Sequence, residues 1–264
     1  MSFSWSGRCL SLVLLASSAL SLSAARLHLA GDSTMATKER ATPNPEYGWG
    51  EVLQRYFSER LTVVNYAMNG RSSKSFINEG RWQKLVDALE PGDWVIVQFG
   101  HNDQKANPDR RTEPRGEFAG NLRRMIADVR AKGATPLLAT SVARRKWSAD
   151  GQHLVDTHGD YIAAVREVGA AENVPVLELN ALTTALEEAH GVEGSKRLHL
   201  WIAPGVYARN PTKGWQDNTH YSAYGADRVA ALAVQEIIRL GLPLADFLAG
   251  DSPVGDQVDA KAER

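Results

Sequence analysis

A serine, a histidine and an aspartate that reach one another make an acyl-transfer catalyst. The imidazole takes the hydroxyl proton, and the carboxylate fixes the imidazole tautomer. Short, widely separated segments of the 264-residue chain hold these groups. Gly31-Asp32-Ser33-Thr34-Met35 offers a hydroxyl at Ser33. Asp217-Asn218-Thr219-His220 offers a carboxylate and an imidazole three residues apart, a spacing that one turn can bring together. Gly100-His101-Asn102-Asp103 offers the Asn102 amide, a donor of the kind that stabilises a developing oxyanion. Gly70, in Ala67-Met68-Asn69-Gly70-Arg71-Ser72, brings a backbone N–H close without a Cβ in the way. The predicted catalytic set is Ser33, Asp217 and His220, with an oxyanion hole of Ser33, Gly70 and Asn102.

Neighbouring residues read as support. Asp32 holds its turn by local hydrogen bonds, and Asp103 braces its loop. The segment 199–216 is rich in Trp201, Tyr207, Arg209, Lys213 and Trp215 and leads into the Asp–His block, so it should border the site. Aromatic faces suit sugar rings, and cations suit an acidic polymer. His101, Trp201, Tyr207 and Trp215 are the candidate substrate contacts, while Arg144-Arg145-Lys146 reads as a solvated charge run. His28, His153, His158, His190 and His199 lack metal-ligand spacing. A metallophosphoesterase needs a further acid near the first strand, but Met35 stands three residues after Asp32. No metal and no organic cofactor is predicted. The Gly-x-Ser-x-Gly elbow of an α/β-hydrolase is missing.

These groups need a scaffold. Short runs at 26–30, 61–65, 94–99, 135–140 and 174–179 are rich in β-branched residues and bounded by Gly, Pro or Asp, and they predict strands. Apolar residues spaced by three and four predict helices over 117–132, 161–172 and 223–240. Alternating strands and helices predict an α/β fold, a parallel sheet of about five strands with helices on both faces. Ser33 and Asn102 then follow strands directly, at the sheet end where ligands bind.

Net charge is −1, with 43% hydrophobic and 23% charged residues. That composition gives no electrostatic case for nucleic acid or an anionic membrane as partner. Residues 1–25 carry Arg8, an uncharged apolar run over 9–22, and the small residues Ser23, Ala24 and Ala25. This is the pattern of a secretory signal peptide, and it predicts a periplasmic or secreted protein. Cleavage near Ala25 would remove the one cysteine, Cys9. The hydrolase domain is expected over 26–248 and a loose charged tail over 249–264.

The four blocks resemble those of the SGNH, or GDSL-type, hydrolase superfamily, named for a serine, a glycine, an asparagine and a histidine. Ser33, Gly70, Asn102 and His220 match them in order, and Asp217 matches the triad acid. The spellings Gly-Asp-Ser-Thr-Met, Gly-Arg-Ser and Gly-His-Asn-Asp are similar to those of the rhamnogalacturonan acetylesterase group, in which Thr34 in place of leucine is usual. The resemblance implies a flavodoxin-like three-layer α/β/α sandwich. It also implies a serine esterase that removes acetyl groups from acetylated rhamnogalacturonan or pectin. Acetyl xylan esterase, lipase or thioesterase are alternatives within the superfamily. A non-catalytic carbohydrate-binding relative is the alternative of another class.

Overall fold

The computed structural model describes Met1 and residues 25–250. Most of the leader reading, with Cys9, and nearly all of the tail reading lie outside the described residues.

Five strands pair in parallel: β1 (Ala25–Gly31), β2 (Leu61–Asn65), β3 (Trp94–Gln98), β4 (Thr135–Ala139) and β5 (Val176–Leu177). Their spatial order is β2-β1-β3-β4-β5. The helices in chain order are α1 (Trp49–Val52), α2 (Ser73–Asn78), α3 (Arg81–Asp87), α4 (Ala119–Ala131), α5 (Asp160–Glu172), α6 (Leu179–Gly194) and α7 (Ala223–Arg239). None of the described helices is long and apolar enough to cross a membrane.

Side chains alternate across a strand, so each strand feeds two cores. Leu27, Leu29, Ile96 and Leu137 pack with Trp49 of α1 and with Val229, Val234 and Ile237 of α7. Val95, Val97 and Leu138 face the other way, onto Phe76 of α2, Trp82 of α3, and the buried stripes of α4 and α5. The result is the predicted three-layer α/β/α sandwich. Its strand order reverses between β1 and β3, and in such sheets that reversal opens the ligand crevice at the strands' carboxyl ends.

The strongly periodic helices fall within two residues of their predicted bounds. The fifth strand is shorter than expected because Leu179 already begins α6. No apolar periodicity announces α6, since its buried stripe is Leu179, Thr183 and Glu187. The segment 199–216 is more than a loop. Its ends belong to an antiparallel hairpin, β6 (His199–Ile202) and β7 (Trp215–Tyr221), separate from the main sheet. Along β6, His199 pairs with Tyr221 and Leu200 with Asp217, so residues 218–220 bulge out of the ladder. Asp217 therefore opens a bulge whose last residue is His220, which is how residues three apart come to face each other within a strand.

Gly100, two residues past β3, has φ +143, and a Cβ there would lie 2.3 Å from the Ser141 hydroxyl oxygen. Gly100→Ala is expected to cost about 1–3 kcal/mol through overpacking. Urea unfolding of the variant against the parent checks this.

Candidate active site

Ser33 sits just past β1, in a turn where Met35 and Ala36 donate their N–H groups to the Asp32 carbonyl. Its hydroxyl donates to His220 Nε2 at 2.8 Å. His220 Nδ1 in turn donates to Asp217 Oδ2 at 2.7 Å. The other carboxylate oxygen of Asp217 accepts from the N–H groups of Thr219 at 2.7 Å and His220 at 3.0 Å. Burial alone would push the Asp217 carboxyl up. The His220 imidazole and the two backbone donors outweigh it and hold Asp217 well below the usual carboxylate range. Asp217 is thus a fixed anion beneath the imidazole.

Ser33, Gly70, Asn102, Asp217 and His220 all line one cavity of about 260 Å³. Gly70 takes the left-handed conformation, φ +76, which turns the loop after β2 toward the serine. The Asn102 amide gives one N–H to the Arg71 carbonyl at 3.0 Å. That bond fixes its plane and leaves the second N–H for a ligand. The same cavity is lined by Glu46, Asn69, Lys105, Tyr207, Arg209 and Trp215. A larger hollow of about 380 Å³, beside Arg144 and α6, shares no lining residue with it.

The GDSL-like lipase/acylhydrolase family model matches residues 29–228. The chain belongs to this family. It is 41% identical over 225 residues to a rhamnogalacturonan acetylesterase of Bacillus subtilis (strain 168), covering 84% of this chain and 94% of that one. The solved structure of the Bacillus subtilis protein YxiM is similar, with a TM-score of 0.71 at 28% identity, covering 84% of this chain and 58% of that one. An acetylxylan esterase of Geobacillus stearothermophilus shares the fold, with a TM-score of 0.58 at 17% identity, covering 81% of this chain and 94% of that one. As a GDSL-family enzyme the chain is a carboxylic ester hydrolase.

Of the candidate substrate contacts, Tyr207 and Trp215 line the cavity of this GDSL hydrolase, packed edge to face at 5.6 Å. Neither the Tyr207 hydroxyl nor the Trp215 indole N–H has a hydrogen-bond partner within the protein. His101 and Trp201 do not line it. His101 is buried, with Nδ1 3.2 Å from His158 Nε2. Burial, then the neighbouring His158 and Arg144, push it well below the usual histidine range, so it is a neutral strut. Trp201 lies beside Arg145 and Lys196 and donates its indole N–H to Asn218 at 2.9 Å, bracing the hairpin. Nor is Arg145 part of a solvated run. It is buried, and it bonds Ser195 at 2.9 Å and the Asn218 side chain at 3.0 Å. Glu46, Asn69, Lys105 and the buried Lys38 escaped sequence reasoning. Asn69 directly precedes Gly70 and Lys105 stands three residues after Asn102, and that closeness to predicted oxyanion residues was the available signal.

The acids read as support do support. Asp32 Oδ1 accepts from the Thr34 N–H at 2.9 Å and the Thr34 hydroxyl at 2.8 Å. That hydroxyl accepts from the Gln98 amide at 3.0 Å, and Gln98 accepts from the Trp49 indole at 2.8 Å. A leucine at position 34 would break this chain, so the threonine has a structural role of its own. Asp103 accepts from the Ser73 N–H at 3.1 Å, the Ser73 hydroxyl at 2.5 Å and the Thr112 hydroxyl at 3.2 Å.

Burial pushes Asp103 from its ordinary 3.8 up to about 7, against those donors. A raised carboxyl means that the folded state holds a proton which the unfolded chain has already released. Its contribution to stability is full below the unfolded value and is lost as pH rises through about 7. Asp103→Asn should therefore lose less melting temperature than the parent between about pH 4 and 7, as read by thermal scans across that range.

Proposed function

We propose that this chain is a carbohydrate acetylesterase acting on an acidic pectic polymer, acetylated rhamnogalacturonan, through an acetyl-serine intermediate. The observation that carries the reaction is the unbroken relay from the Ser33 hydroxyl through His220 to Asp217, opening onto a cavity that Gly70 and Asn102 also line.

In the proposed cycle His220 Nε2 takes the Ser33 proton as Oγ attacks the acetyl carbonyl. The oxyanion forms against the N–H groups of Ser33 and Gly70 and the free N–H of Asn102. His220 then protonates the departing sugar oxygen. A water molecule, deprotonated by the same imidazole, attacks the acetyl-serine and releases acetate. Asp217 stays ionised throughout and stabilises the imidazolium.

The lining supports a short acyl group on a sugar. It contains polar and charged residues and two aromatic side chains, but no aliphatic one, so it offers no sleeve to a long acyl chain. An acidic polymer suits the rim. Lys105 and Arg209 line the cavity without an ion-pair partner among the described residues. Burial, then the nearby Arg110 and Arg144, lower the Lys105 ammonium against a weaker opposing pull from Asp32, so positive charge gathers at this edge of the cavity. Identity to a named rhamnogalacturonan acetylesterase along most of both chains points the same way. The leader pattern over residues 1–25 supports export to the periplasm or the medium, where such a polymer is met.

Acetate release from acetylated rhamnogalacturonan and from acetylated xylan tests the substrate. Faster release from the pectic polymer is expected, with an advantage that shrinks as salt is added. Equal rates on the neutral xylan would overturn the pectic assignment. In the same assay, folded Ser33→Ala should lose on the order of 10⁴–10⁶ in kcat, and near-normal acetate release would overturn the mechanism. Asn102→Ala should lose about 10²–10³ in kcat with KM little changed.

A further inference from the structure

Lys38 is a lysine where a lysine is costly. Its side chain is 1% exposed. Burial pushes its ammonium down, and Glu46, the largest opposing influence, pulls it back up. Its three N–H donors meet three acceptors: the Ser33 carbonyl at 2.5 Å, Asn69 Oδ1 at 2.7 Å and Glu46 Oε1 at 2.7 Å. An ammonium has three donors and no acceptor, so the group is saturated.

The acceptors belong to separate walls of the catalytic cavity. Ser33 is on the nucleophile turn after β1. Asn69 immediately precedes Gly70 on the loop after β2. Glu46 lies on the segment leading to α1. All three line the cavity, whereas Lys38 does not. Its own backbone N–H is tied to Glu51 at 3.1 Å, so the clamp has a fixed anchor. Without the ammonium, a carbonyl, an amide oxygen and a carboxylate would face one another with no donor between them. They would repel, and the Ser33 turn and the Asn69–Gly70 loop, held otherwise by the Met68 N–H on the Gly31 carbonyl at 2.9 Å and the Asn65 amide on the Met35 carbonyl at 2.9 Å, would shift relative to one another.

We propose that Lys38 is a positioning residue for acyl transfer, whose ammonium sets the gap between the Ser33 nucleophile and the Gly70 oxyanion donor by clamping the Ser33 carbonyl, the Asn69 side chain and Glu46. The inference rests on the reading of Ser33 as nucleophile. It makes Lys38 matter to the rate at which a bound ester reacts rather than to how tightly it binds.

Lys38→Met keeps the length and removes the donors. Steady-state kinetics on an aryl acetate should show kcat reduced about 10²-fold, the scale of a misplacement of about 1 Å, with KM changed by less than about threefold. Phosphonylation of Ser33 by an aryl methylphosphonate, which forms a tetrahedral adduct, should slow by a similar factor. Asn69→Ala removes one arm of the clamp and should lose about tenfold in kcat. Placed on Lys38→Met it should add little, since residues that share one interaction are not additive.

A folded Lys38→Met enzyme with kcat and phosphonylation rate within about threefold of the parent would overturn the clamp. If that variant does not fold, an unchanged kcat in Asn69→Ala overturns it instead. Stoichiometric labelling of Ser33 in the parent separates the two failures, because loss of that labelling sinks the nucleophile and not the clamp.

Discussion

The hydrogen bond from Ser33 to His220 joins residues 187 positions apart, and the proposed chemistry depends on it. Its two ends come from different parts of the fold. Ser33 is set by β1, a strand buried between β2 and β3. His220 is carried by a hairpin outside that sheet, which must therefore be docked on the strands' carboxyl ends by bonds of its own. Tyr47 donates to the Tyr221 carbonyl at 3.0 Å, and Arg145 donates its backbone N–H to the Asn218 carbonyl at 2.9 Å. Ser222 donates to the Leu198 carbonyl at 3.0 Å, just before α7. His199 Nδ1 donates to the carbonyl of His220 itself at 3.2 Å, while its other nitrogen contacts Glu187 of α6. The carbonyl can only accept, which fixes the proton on Nδ1. The backbone of the proposed base is thus held by a second, buried imidazole.

A common device fixes the other loops, which are short, polar and largely buried. Buried polar groups without partners are costly, so each such group that finds a partner also selects one conformation of the loop that carries it. The Asp32–Thr34–Gln98–Trp49 chain runs from the nucleophile turn through the last residue of β3 to α1. Asp103 joins the Asn102 loop to the start of α2, where Ser72 caps the helix by accepting from Ser75. Lys38 closes the remaining gap between the loops after β1 and β2. The three loops of the candidate site are cross-linked from behind, on the side away from the cavity that Ser33, Gly70 and Asn102 line.

The sequence announced the parts of this molecule that obey local rules. The sheet strands are short apolar runs between breakers, and α4, α5 and α7 each show one unbroken apolar stripe. Ser33, Gly70, Asn102, Asp217 and His220 were legible because each stands in a compact block of chemically distinctive residues next to a strand end or the last helix. What stayed hidden depends on tertiary partners. Helix α6 buries Thr183 and Glu187, whose polar character disguises its inner face. In β7 only Trp215 and Tyr221 are large and apolar, and a three-residue bulge lies between them, so no alternation marks the strand. Trp201 resembles Tyr207 and Trp215 in composition, yet Trp201 lies beside Arg145 and Lys196 while the other two reach the cavity. Lys38 has no local signature, because its three acceptors come together only once the fold has formed.

On the proposed function, recognition and reaction share a loop. The turn after β3 provides the Asn102 donor and, three residues on, the Lys105 cation. An acetyl group is too small to bring much binding energy of its own, so its placement against the serine must draw on contacts made by the rest of the polymer. A carboxylate held by Lys105 or Arg209 would anchor the chain within one cavity's width of the oxyanion donors. A polymer without such carboxylates would reach the same catalytic groups with fewer contacts to hold it there. On the proposed reading, an acidic polymer would be told from a neutral one by how its ester is presented to Ser33, because Lys105 stands on the same loop as the Asn102 donor.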